Sequence, residues 1–151
     1  MSAAKAAKAS AAASEEQLLY ANLLEKGMYL GLLIMFVTFG IYCLNLVQPA
    51  IPRADLASYW QMPVHDYIEA MNEHYLHLEH PPTGWAWVNL VGYSDFMNFI
   101  GIALLAGITV LCYLAIVPTL WRKRDTTYAV LCLAEAAILI LAASGILAVG
   151  H

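Results

Sequence analysis

Three stretches of this chain run for about twenty residues almost without charge, which is the length that crosses a bilayer core. The first, residues 27–47, reads GMYLGLLIMFVTFGIYCLNLV. The second, residues 96–118, reads FMNFIGIALLAGITVLCYLAIVP. The third, residues 128–149, reads YAVLCLAEAAILILAASGILAV and holds one acid, Glu135. In hydrocarbon no water is present to pair with backbone N–H and C=O groups, so such runs must close their own hydrogen bonds as helices. The expectation is an all-α integral membrane protein with three transmembrane helices.

Composition agrees. Hydrophobic residues make up 62% of the chain and charged residues 12%, whereas soluble domains carry roughly 25% charged residues. The net charge of −4 is spread without a basic face, which argues against a nucleic-acid partner. Cys43, Cys112 and Cys132 all fall inside the predicted spans, with no CxxC pair and no CxxCH haem attachment motif. They read as small packing residues.

Residues 1–14 form an Ala-rich tail with Lys5 and Lys8 but no apolar signal-peptide core. Ser14-Glu15-Glu16-Gln17 fits a capping box, so residues 15–47 read as a juxtamembrane helix running into the first span. Pro49 and Pro52 end that helix, and residues 48–95 form a long loop. HPPTG at 80–84 is a turn signal, and Ser94-Asp95 reads as the cap of the second span. Residues 119–127, with Arg122, Lys123 and Arg124, make a short basic turn that folds spans two and three into a hairpin.

Lys5, Lys8 and Lys26 precede span one, and Arg53 is the single base in the long loop. The positive-inside rule then puts the N-terminus and basic turn in the cytoplasm and the loop and C-terminus outside the inner membrane. Trp60, Trp85 and Trp87 would mark the outer interface and Trp121 the inner one.

The stretch HDYIEAMNEHYLHLEH, residues 65–80, holds four of the five histidines. Val64, Tyr67, Ile68, Met71, Tyr75 and Leu78 recur with helical period, which predicts an amphipathic helix over 64–80. Its polar side carries Asp66, Glu69 and Glu73, candidates for docking a partner protein, since an acidic face does not suit anionic lipid. A metal reading uses His74, His77 and His80, spaced by three, with Glu73 nearby. Steps of three fan the rings around the helix, so the solvated or partner-facing reading stands ahead of it. No span contains histidine, so no intramembrane haem ligand is expected, and no resident cofactor is assigned.

Glu135 lies inside span three, where a lone acid must face protein or water. It reads as hydrogen-bonded to a neighbouring helix or subunit; a proton-pathway role is the alternative. Gly27 with Gly31, Ala103 with Gly107, and the run Ala142, Ala143, Ser144, Gly145 are small-residue faces suited to close helix packing.

The segment from Gly101 to Gly145, with its turn RKRDTTY, resembles the C-terminal hairpin of a small uncharacterised three-span bacterial membrane family associated with sulfite-exporter-type permeases. That resemblance implies an accessory role and carries over no functional residue. The chain holds no P-loop, GxSxG, HExxH or Rossmann fingerprint. The expectation is therefore a non-catalytic accessory subunit of a larger inner-membrane complex, in the first place a respiratory electron-transfer assembly. Its partners would be other membrane subunits, a periplasmic subunit and the lipid bilayer. The alternatives are a partner of an anion permease, and a metal- or quinone-handling protein using residues 65–80.

Overall fold

The computed structural model describes residues 13–146, and all regular structure among them is helical. Residues 1–12 of the Ala-rich tail, with Lys5 and Lys8, and residues 147–149 of the predicted third span lie outside the described residues. Three helices are long and apolar enough to cross a membrane: α1 (Glu15–Cys43), α4 (Ser94–Arg122) and α5 (Thr126–Ala143). Between α1 and α4 lie α2 (Leu56–Tyr59), α3 (Val64–Met71) continued by a π-helical turn (Asn72–Leu76), and a 3₁₀ helix (Gly84–Leu90). The chain is a three-span, all-α membrane protein.

Large apolar side chains point away from the protein along the spans. Phe36 is 82% exposed and Ile138 65%. In water such surface would be strongly unfavourable at ~25 cal/mol per Å²; in lipid it costs nothing of the kind.

The described residues form two compact units, one from 13–28 and 107–146, the other from 29–106. In the first, Ile116, Leu120, Ala129 and Cys132 pack with Tyr20, Tyr113 and Val117. The capping box forms reciprocally: Ser14 N–H donates to Gln17 Oε1 (2.9 Å), and Gln17 N–H to Ser14 Oγ (3.4 Å). Gly27 lies where a Cβ would run into the Ile108 side chain. Lys123, in the turn after α4, pairs with Glu16 and lies 3.7 Å from Glu15. The turn closes with Arg124 in the left-handed region (φ 58°). Cys112 and Cys132 are buried, as packing residues should be, but Cys43 at the end of α1 is exposed.

In the second unit α1 and α4 meet at glycine. A Cβ on Gly101 would lie 3.0 Å from the Gly31 carbonyl oxygen and 3.1 Å from the Met35 nitrogen, both backbone. Thr38 Oγ1 donates to Asn98 Oδ1 across the same pair of helices (2.5 Å). Ala103 and Gly107 do not form the expected packing pair, since a Cβ on Gly107 would meet nothing within 4 Å. The small run at 142–145 is likewise exposed.

Several predicted boundaries shift. α1 stops at Cys43 rather than 47, because Asn45 turns left-handed (φ 55°) and Arg53 donates to the carbonyls of Tyr42 (2.6 Å) and Cys43 (3.0 Å). A cation on the last carbonyls is a favourable helix end. α4 extends beyond 96–118 at both ends, passing through Pro118. Helix α5 ends at Ala143, and Gly145 (φ 74°) follows in the conformation common after a helix C-terminus. Ser94 does not cap α4. It is the first helical residue, wholly buried, and its hydroxyl has no hydrogen-bond partner.

Candidate functional site

The 64–80 helix is shorter than its pattern suggests. It runs as α helix to Met71, widens to a π turn, and ends at Leu76, with His77 left-handed (φ 52°). The Asn72 side chain sets this end. Its amide donates to the Leu78 carbonyl (3.0 Å) and accepts from the Leu78 N–H (2.9 Å). The side chain thus replaces the backbone partners that the next helical turn would have supplied.

The apolar stripe of this helix is spent within its own unit. Met71 joins Ala50, Ile51, Leu90 and Phe96 in a buried cluster, with Tyr67 and Tyr75 packed against it. Val64 and Leu78, at the two ends of the stripe, remain exposed. The middle of the stripe is thus engaged by protein.

Three tyrosines bind the segment together. Tyr59 meets Tyr67 and Tyr75 edge-on, with ring centres 6.1 and 6.3 Å apart. Tyr75 donates to Asp55 Oδ2 (3.1 Å). The hydrogen bond with Tyr59, then burial and Asp55, push the Tyr75 phenol well above its ordinary range. Burial, with Asp95 nearby, raises Tyr67 as well. Both phenols therefore stay neutral near pH 7 and serve as hydrogen-bonding and packing groups.

A cleft of about 340 Å³ opens beside them. Val64, Ile68 and Met71 line one side, Phe96 and Phe99 the other, and Asp95 and Tyr67 supply its polar atoms. Asp95 is already engaged, accepting from the Ala50 N–H with both oxygens (2.9 and 3.0 Å). Trp85, Trp87, Phe99 and Phe96 stack in succession, with ring centres about 6 Å apart. The groups converging here suit apolar contact, and they do not pair a nucleophile with a base.

The histidines do not converge. Among the described residues no group of three His, Cys, Asp or Glu side chains is placed to hold a metal ion. His74, His77 and His80 are not gathered into one such group: the helix ends at Leu76, before His77, which is left-handed. His65 instead lies 3.2 Å from Glu69, in an exposed, water-screened pair. Asp66, Glu69 and Glu73 are all exposed, at positions i, i+3 and i+7 of one helix face.

Glu135 is exposed at the middle of α5, and no residue among those described hydrogen-bonds or ion-pairs with it. The expected pairing with a neighbouring helix of the same chain is absent among these residues. An acid facing hydrocarbon at this depth costs ~2.5–3.5 kcal/mol on insertion scales.

Sequence reasoning missed Arg53 as a helix cap, Asp95 as a loop clamp and Gly101 as the crossing point. Their partners lie 10, 11 and 45 residues away for the two polar groups. The Pro-rich turn that brings Arg53 back toward α1 was the one available signal.

A protein of Archaeoglobus fulgidus described as uncharacterized is 42% identical over 137 residues, which span 91% of this chain and 92% of that relative. No protein-family model matches the chain, and no solved structure matches it.

Proposed function

This chain belongs to the same family as the uncharacterized Archaeoglobus fulgidus protein, and we propose that it acts as a non-catalytic subunit of a larger inner-membrane assembly. In this reading it supplies three spans and an acidic docking face for a partner outside the membrane. The class of assembly we favour is respiratory electron transfer, whose complexes commonly include small membrane-anchored subunits of this kind. The Lys and Arg distribution supports an N-terminus in the cytoplasm and the 48–95 segment outside.

One observation carries the proposal: Asp66, Glu69 and Glu73 stand exposed on a helix whose other side is buried in its own unit. The helix is fixed in place, so its acidic face is presented rigidly, and preorganised surfaces lose less entropy on binding. Charge complementarity then selects a basic partner.

The test is purification of the tagged chain from its native membrane in mild detergent. The co-migrating proteins are identified by mass spectrometry, and a visible spectrum is taken of the same native-gel band. Cytochrome or iron–sulfur subunits with haem absorbance support the electron-transfer reading. A many-span permease in a colourless band replaces it with the permease partnership. A chain that runs alone overturns both. Replacing Asp66, Glu69 and Glu73 with Lys should abolish capture of the extramembrane partner and leave the chain inserted.

A further inference from the structure

Helix α5 buries Ala129, Cys132 and Ala136 and turns the rest of its surface outward. On that surface Tyr128, Leu131, Glu135, Ile138 and Ala142 follow one another in alternating steps of three and four, and all are exposed. This is the spacing of a seam along which two helices pack side by side. Glu135 sits near its middle with no hydrogen-bond or ion-pair partner among the described residues.

We propose that this seam packs against the same seam of a second copy of the chain, with the two Glu135 side chains meeting across a two-fold axis as a hydrogen-bonded acid pair. The choice of occupant rests on the chemistry of the carboxyl group. Lipid offers it no hydrogen bond. None of the three apolar runs contains a Lys, Arg or His that could answer it from within the chain. A second copy related by a two-fold axis along the membrane normal brings an identical acid to the identical depth. A carboxylic acid carrying its proton has one O–H donor and a free acceptor oxygen, so it is complementary to itself. Ala142, a small residue at one end of the seam, lets the two backbones approach closely there. A single polar residue in an otherwise apolar seam also fixes the register of the pair. The inference is independent of the docking face, which belongs to residues 66–73.

The experiment uses the full chain in its native membrane, co-expressed with two different epitope tags. A benzophenone amino acid replaces Ile138, and in a second version Leu131. The expected product on illumination is a band of twice the chain's mass carrying both tags. An adduct with a different protein, or with lipid alone, from both positions overturns the proposal. In parallel, Glu135→Gln should keep mutual capture of the two tags, because an amide also donates and accepts. Glu135→Leu should lower it about 3- to 18-fold, the range spanned by single interhelical hydrogen bonds in membranes. Protection of Cys112 and Cys132 from a thiol dye shows that each variant is folded. Undiminished capture by folded Glu135→Leu overturns the acid pair. If that variant does not fold, the cross-linking result decides alone.

Discussion

Replacing Gly101 with Ala should loosen the chain at one identifiable place. The new methyl group would sit 3.0 Å from the Gly31 carbonyl oxygen and 3.1 Å from the Met35 nitrogen. Both are backbone atoms, so no rotamer change relieves the contact and α1 must move away from α4. Overpacking of this kind costs ~1–3 kcal/mol. Alanine's better helix propensity returns up to ~1 kcal/mol, so the middle of that range leaves a net loss of ~1–2 kcal/mol. For a chain of this size that lowers the unfolding midpoint by ~2–8 °C. Two further substitutions calibrate the effect. Gly31→Ala would meet the Leu105 side chain, 2.6 Å away, which has a flexible end, so its cost should be smaller. Gly107→Ala meets nothing within 4 Å and should be neutral or slightly stabilising. The assay is thermal unfolding in detergent followed by a thiol-reactive dye. Cys112 and Cys132 are buried and report opening, while exposed Cys43 sets the baseline. A Gly101→Ala protein as stable as Gly107→Ala would show that the two helices do not cross at glycine.

Other substitutions address single contacts. Thr38→Val removes the hydroxyl bonded to Asn98 and should cost about 0.6 kcal/mol, at most ~1.7, by the same dye assay; no loss would mean the bond adds nothing over its alternatives in the unfolded state. Arg53→Ala frees two helix-terminal carbonyls and should cost ~1 kcal/mol after allowance for solvent exposure, with Arg53→Lys restoring charge but not the two-pronged contact; equal stability of Lys and Arg would refute the cap geometry. The Lys123 ammonium is held above its ordinary range chiefly by its hydrogen bond with Glu16. A raised value in the folded state means the contribution is complete below the ordinary lysine value of ~10.4 and fades as pH climbs through the raised one. The stability difference between wild type and Lys123→Gln should therefore be constant from neutral pH to about 10 and vanish at higher pH; a difference that grows with pH would refute the pairing.

What the sequence made legible was whatever depends on short-range pattern. The three spans follow from uninterrupted apolar runs, and the Ser14–Gln17 box forms as written because both partners lie within one turn. The amphipathic helix was legible at its start and wrong at its end. The polar-apolar alternation continues through His80, but Asn72 diverts the backbone by bonding Leu78, a competition that periodicity does not register. Asp66, Glu69 and Glu73 precede the helix end at Leu76 and stay on the helical part. His77 and His80 follow that end, so helical spacing does not describe where they lie relative to His74. Gly101 was passed over because its neighbours eight residues apart gave no small-xxx-small repeat, and only its contact with Gly31 shows its role.

Residues 48–53 bind the end of one long helix to the start of the next. Arg53 holds the last carbonyls of α1, the Gln48 carbonyl accepts from the Ser94 N–H (3.2 Å), and Ala50 donates to Asp95. The first of these bonds can close once Arg53 has emerged from the ribosome. The last must await a residue 45 positions further along. At ~5–20 residues per second the delay is roughly 2–9 s. For that interval the nascent chain holds its first span capped, while the connection after it lacks half of its attachments. Translation speed through this stretch thus sets how long unfinished backbone is open to proteases and chaperones at the membrane surface.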